Sequence, residues 1–327
     1  MQSSRGARIS GCVRRVVAVV LFTLPAAVSA HAQATIPAPG AASIDFSYQF
    51  FDGGDHLFST DAIDGLSTRG YVAEGNRWFL GDTWAHSFFG TLDVGLHPRL
   101  ALTLGAALVS SAYDGQAPVD VTIDDGTYST TWQDGLVRVR SPLVAGSFLV
   151  TPFAGAAFPL QTYPASGHSA PGRSLTEAQV GVHVLRGLGA YASFGYIGVD
   201  VGYGFVTNVS ELDLRRLTAA ARVAYFQSRR LTFSAQASHL HTFGGLEWAS
   251  DDPTQQTAHG SGPTTLHNQV SAARATVVGL RAEWAASSAF GLHGGLHTTV
   301  WGENVDDAFF ATAGVTWAFR IFGTDAP

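Results

Sequence analysis

The stretch Phe309-Phe-Ala-Thr-Ala-Gly-Val-Thr-Trp-Ala-Phe-Arg-Ile-Phe322 decides how this chain is read. Ala311, Ala313, Val315, Trp317, Phe319 and Ile321 fall on one parity, while Thr312, Gly314, Thr316 and Arg320 fall on the other. Period-two alternation of this length is a strand with one apolar and one polar face. The same alternation recurs upstream. In Thr83–Leu96, Trp84, Phe88, Leu92, Val94 and Leu96 oppose Ser87, Thr91 and Asp93. In Arg230–Thr242, Leu231, Phe233, Ala235 and Ala237 oppose Thr232, Ser234, Gln236 and Ser238.

About twelve such segments can be traced: 43–51, 83–96, 99–113, 135–145, 148–159, 174–186, 190–205, 211–227, 230–244, 267–285, 289–303 and 306–322. Most exceed the roughly 9–11 residues that a tilted strand needs to cross a bilayer. In 148–159 both parities are equally apolar, so its faces stay unassigned. The connections alternate in length. The long ones are 52–82, 114–134, 160–173 and 245–266; the short ones are 97–98, 146–147, 187–189, 228–229 and 286–288. Short periplasmic turns opposite long outer loops are the asymmetry of an outer-membrane barrel. The reading is an all-β, transmembrane, antiparallel up-and-down barrel of about twelve strands over 43–322, with both termini in the periplasm. Within 114–134, Val119–Ile123 and Thr127–Trp132 flank Asp125-Gly126 and read as a β-hairpin outside the membrane or folded into the mouth.

The ends are consistent with export. Arg5, Arg8, Arg14 and Arg15 precede the apolar run Val16–Leu24 and the small-x-small site Ala30-His31-Ala32. That is the layout of a secretory signal over 1–32. A short periplasmic segment, 33–42, then leads into the barrel, and 323–327 is a tail. The apolar run is too short to span a bilayer as a helix. All 19 basic residues are arginines, four of them in the leader, so 15 remain against 25 acids. Such a surface does not suit nucleic acid, whose binding draws on clustered positive charge. The one cysteine, Cys12, leaves with the leader, which excludes disulfides, thiolate metal sites and a cysteine nucleophile from the mature chain. Charged residues make up 13% of the chain, about half of the globular average. Lipid is therefore the expected surrounding: outer-membrane lipid and lipopolysaccharide outside, with the barrel-assembly machinery reading the C-terminal strand that ends on Phe322. Aromatic belts match, with Tyr191, Tyr225, Trp284, Phe290, Trp317 and Phe319 at the periplasmic level and Trp84, Tyr203 and Phe205 at the outer level.

The inward parity collects Asp45, Asp93, Glu177, Asp200 and Glu283, the bases Arg138, Arg140, Arg216, Arg222 and Arg281, and His183, His293 and His297. These are the candidate lumen residues. An arginine row facing an acidic row would orient a polar or anionic solute; internal ion pairing without a transport role is the simpler account. Phe89, Phe194, Tyr196 and Trp301 share the inward parity. Arg274 falls on the lipid face near its outer edge, from where it could reach lipopolysaccharide phosphates. Ser238 and His239 alternate faces and cannot form a nucleophile–base pair, so catalysis is not expected. No cofactor and no metal site is indicated. The acidic pairs Asp124-Asp125, Asp251-Asp252 and Asp306-Asp307 read as solvated outer loops, with calcium as the alternative.

Residues 134–187 resemble the outer-membrane proteins of the meta-cleavage pathway of phenol degradation, distant relatives of the long-chain fatty-acid transporter. The resemblance rests on Asp134-Gly135-Leu136, Leu149–Pro159, Gly172-Arg173 and Glu177–Val182, with Gly202-Tyr203-Gly204 and Arg229–Ser234 in similar style. It implies uptake of a small hydrophobic or aromatic solute. Two features depart from the pattern. Only about ten residues separate the cleavage site from the first strand, too few for the transporter's N-terminal plug, and Pro159-Leu160-Gln161 replaces a Pro-Thr-Gly loop. A closed barrel filled by side chains is the alternative function, and a surface hydrolase the least favoured.

Overall fold

A computed structural model describes residues 34–57, 73–74, 77–115, 122–145, 147–165, 167–189, 194–209, 211–246 and 267–322. The strands are β1 (Ala41–Leu57), β2 (Ala73–Glu74), β3 (Arg77–His97), β4 (Leu100–Gly115), β5 (Ser129–Trp132), β6 (Asp134–Arg140), β7 (Leu143–Ala145), β8 (Phe148–Pro159), β9 (Glu177–Leu188), β10 (Gly195–Val206), β11 (Arg215–Phe226), β12 (Leu231–Phe243), β13 (Arg274–Ala285), β14 (Phe290–Glu303) and β15 (Val305–Arg320). A short helix, α1 (His267–Val270), precedes β13. Neighbouring strands pair antiparallel, and β1 pairs with both β3 and β15, so the sheet closes as a twelve-strand barrel. The closing seam runs from Ala41↔Arg320 to Leu57↔Val305. Closure leaves no open edge, which is what allows strands to sit in hydrocarbon.

The wall follows the expected alternation. On β10, Ile197, Val199, Val201 and Phe205 are exposed on the outer wall, while Tyr196 is buried inside. Tyr225, Trp284, Phe290 and Trp317 are exposed near the periplasmic ends, and Phe205 near the outer end. Tyr191 lies outside the described residues.

Several expectations need correction. Ser129–Trp132 pairs with β4 at Leu108–Ser111 and not with 122–123, which form a turn. The second arm of the expected hairpin therefore extends the barrel wall, and Gln133 interrupts it where its N–H bonds to the Ala107 carbonyl. On β14 the register slips between Thr276↔Trp301 and Val277↔Thr299, so Val300 is an extra residue. Such a bulge flips the parity beyond it. Trp301 accordingly stacks on His239 at the outer surface and does not enter the lumen. Phe194 precedes β10 and is exposed at the periplasmic rim. Arg274 is bonded by Glu303 at 2.5 Å, its register partner across the hairpin, and does not stand clear to meet phosphate.

Leu280 lies mid-strand on β13 and is 68% exposed. His86 lies toward the outer end of β3, in register with Phe50 and Ser110 and on the same face as the exposed Phe88. Leu280→Arg is expected to destabilise the barrel by about 2–4 kcal/mol, and His86→Arg by about 0–1 kcal/mol. Denaturant titration in phosphatidylcholine vesicles checks this; equal costs at both depths would refute the assigned membrane position.

Candidate functional site: the barrel lumen

The inward side chains join into hydrogen-bonded links, many of which skip a strand. Arg138 on β6 donates to Gln179 on β9 at 3.2 Å, passing over Gly155 of β8, which is in register with both. Gln179 donates to Glu177 at 2.8 Å, and Arg216 on β11 donates to the other Glu177 oxygen at 2.8 Å, passing over β10. Arg222 donates to Gln236 at 2.6 Å. Gln236 on β12 meets His297 on β14 at 3.0 Å across Gly279 of β13. His293 on β14 reaches Asp45 on β1 at 2.9 Å across β15, whose Thr316 donates to the same carboxylate at 2.6 Å.

Skipping a strand requires room over the skipped residue. A Cβ on Gly279 would stand 2.0 Å from His297 Nδ1, and one on Gly204 would stand 2.2 Å from Glu177 Oε1. An alanine at either place would force the overlying side chain to shift.

The remaining candidates complete the network. Arg140 bonds the Asp93 carboxylate, which also accepts from Thr103 at 2.7 Å. Arg281 donates to Glu283 at 2.8 Å, with Arg222 3.7 Å away. His183 pairs through Nδ1 with Asp200. Phe153 lies flat between Arg138, 4.4 Å from its ring centre, and His183, stacked at 4.6 Å. This Arg–Phe–His stack lies along the wall, the ring tip against Gly181. The structure thus brings all thirteen residues named above into the interior, but as local pairs between nearby strands. An arginine row does not face an acidic row across a pore.

Three features were not anticipated. First, an apolar core fills the outer lumen on one side: Phe51, Leu57, Val109, Val277, Val305 and Phe310 are buried together, and Phe51 meets Phe310 edge-on at 6.1 Å. Second, the connection between β8 and β9 folds over the outer mouth. Asp124 accepts from the backbone of His168 at 3.0 Å and of Ser169 at 2.9 Å, Ser111 donates to the Ser169 carbonyl at 2.6 Å, and Tyr113 stacks on His168 at 4.4 Å. Asp306 meets His56 at 2.5 Å. Asp124 and Asp306 are therefore engaged inside the protein and are not solvated loop acids; Asp251 and Asp252 lie outside the described residues. Third, residues 34–40 turn up into the periplasmic mouth instead of hanging below it. The Ala34 carbonyl accepts from Thr151 on β8 at 2.6 Å and the Thr35 carbonyl from Arg140 at 3.2 Å. The Pro37 and Ala38 carbonyls lie where a Cβ on Gly95 would be, 2.3 Å away. A few residues thus line the mouth from β1 round to β8.

Below the cap lies a cavity of about 90 Å³. Phe89, Leu136, Ala157, Leu175 and Val206 give it apolar walls, with Asp134, Arg173, Glu177, Gln179 and Arg216 among the polar lining. Among the described residues, no group of acids and histidines is arranged to hold a metal ion. His239 on the lipid face bonds Thr276 at 3.0 Å, while Ser238 belongs to the inward parity.

A capped, closed, twelve-strand barrel with a polar interior defines the chain as having the outer-membrane β-barrel fold. No protein-family model and no curated protein matches the sequence. Among solved structures, the chain is similar to the COG4313 outer membrane channel from Pseudomonas putida F1, with a TM-score of 0.61 and 12% identity over 87% of this chain and 97% of that one. The KdgM porin in complex with disordered oligogalacturonate also matches, with a TM-score of 0.44 and 9% identity over 85% and 99% of the two chains.

Gly279→Ala is expected to push His297 off Gln236 and to cost about 1–3 kcal/mol, the range for overpacking a filled interior. A shift in urea midpoint tests this; a stability equal to the parent would show that the strand-skipping link needs no glycine.

Proposed function

We propose that this barrel sits in the bacterial outer membrane and facilitates uptake of a small apolar or aromatic solute through an internal binding cavity. The observation that carries the reading is the apolar cavity under the outer cap. A barrel serving only as scaffold has no need of an apolar hollow beside a network of paired charges, because side chains can fill a small lumen. Pocket sites of this kind, mostly apolar with a few placed polar groups, are where small molecules bind. At rest the cavity is smaller than the roughly 150 Å³ that holds benzene elsewhere. An aromatic guest therefore has to displace the cap as it enters, and onward passage has to move residues 34–40. The exposed aromatic and aliphatic wall suits lipid and lipopolysaccharide neighbours, and the C-terminal strand that seals the barrel is the natural signal for the barrel-assembly machinery.

The test is solute entry into liposomes carrying the refolded protein, alongside planar-bilayer conductance. Phenol is expected to enter faster than into empty liposomes and to change the conductance steps. Removing residues 34–38 is expected to raise conductance severalfold while leaving heat-modifiable migration on gels unchanged. A folded barrel that neither conducts nor speeds phenol entry would leave the closed scaffold, supported by the apolar core around Phe51 and Phe310, as the function.

A further inference from the structure

The cavity has a feature that apolar solutes do not use. Arg173, in the connection between β8 and β9, lines it and is 4% exposed. Its Nη2 donates to the Gln269 carbonyl at 2.6 Å, and the Gln269 side chain returns a bond to the Arg173 carbonyl at 2.9 Å. This pair ties the cap to α1. Nε and Nη1 have no hydrogen-bond partner among the described residues.

The geometry of a guanidinium makes this specific. One Nη2 hydrogen lies parallel to Nε–H and the other parallel to an Nη1 hydrogen. A single carbonyl on Nη2 occupies one of these two edges. The other edge keeps two parallel free donors, whichever side Gln269 takes. Two parallel N–H groups are the complement of a carboxylate. The neighbouring acids are otherwise occupied. Glu177 spends its two oxygens on Gln179 and Arg216, and Asp134 accepts from the Tyr163 hydroxyl at 2.6 Å. Burial and the nearby Arg216 charge bring the Arg173 guanidinium down to about 9, against the pull of Glu177 and Asp134. A buried guanidinium with unmet donors is costly until an acceptor arrives.

We propose that the cavity is a binding site for a small organic monocarboxylate, its carboxylate held two-pronged by Arg173 and its apolar body laid against Phe89, Leu136, Ala157, Leu175 and Val206. This deepens the uptake reading and rests on it for a transport role. The cavity volume fits a guest of a few heavy atoms, or the carboxyl end of a longer one. The apolar wall argues against inorganic phosphate, which would bring more charge and nothing to place on that wall.

The test is isothermal titration of the folded full-length barrel in detergent with sodium butyrate, 1-butanol and sodium phosphate. Saturable binding of butyrate is expected, at least tenfold tighter than either of the others. Arg173→Gln should weaken butyrate tenfold or more, and Arg173→Lys should fall between. Ala157→Leu, which fills the hollow without touching Arg173, should also weaken butyrate; it decides the matter if the Arg173 variants do not fold. Absence of butyrate binding, equal binding of 1-butanol or phosphate, or butyrate binding unchanged in the folded variants would overturn the assignment. Phenol entry without butyrate binding would sink this site and leave the uptake reading standing. Butyrate binding without any solute entry would uphold the site and sink uptake.

Discussion

A strand edge with unpaired N–H and C=O groups cannot sit in hydrocarbon, and the pairing of β1 with both β3 and β15 leaves this barrel without such an edge. A sheet of these strands left open would present two unpaired edges to lipid. The seam is long, continuous apart from one irregularity near Gly53, and reaches from the periplasmic rim to the outer end of both strands. Closure also sets the bore. Twelve strands enclose more than side chains of an eight-stranded barrel would fill, and less than a porin's channel. The described residues answer that intermediate width with an apolar core on one side, the Phe153 stack against the wall, a cap above with a hollow beneath it, and the N-terminal segment along the lower rim.

The polar interior solves a second problem by the same economy of space. Isolated charges inside a barrel pay a large desolvation penalty unless paired and hydrogen-bonded. Here Arg138, Arg140 and Arg216 each reach past the neighbouring strand to their partners, while Arg222 bonds its own ladder partner Gln236. The links from Arg138 to Gln179 and from Gln236 to His297 each bridge over a glycine on the strand between. A side chain lying flat along the wall in this way stiffens three strands at once and keeps the centre of the lumen from filling with long side chains.

The barrel and its strand number were legible in the sequence, because an apolar outer face and a polar inner face impose a strict period of two. Strand 148–159 resisted assignment for a physical reason: Phe153 turns inward to sit between Arg138 and His183, so the polar face contains a large apolar ring. Trp301 was misplaced because a single inserted residue, Val300, inverts the parity beyond it and no composition signal marks the bulge. The pairing of charges was not legible, since it depends on which strands lie two apart in a closed ring. Arg173 and the cap were invisible for another reason. Loop residues carry no period, and in the sequence Gly172-Arg173 stands out only through the family resemblance.

The segment at residues 34–40 has a consequence for the order in which the protein can be built. The bond between Thr151 and the Ala34 carbonyl joins residues 117 apart in sequence, and that between Arg140 and the Thr35 carbonyl joins residues 105 apart. Neither can form until β6 and β8 have joined the wall that runs from β1 through β3 and β4. Loop-closure entropy makes contacts of such separation late events. The N-terminus therefore acts as a latch that engages only on a wall already built from β1 through β3, β4 and β6 to β8, and its engagement is a record, held at the barrel's mouth, that this part of the ring is in place.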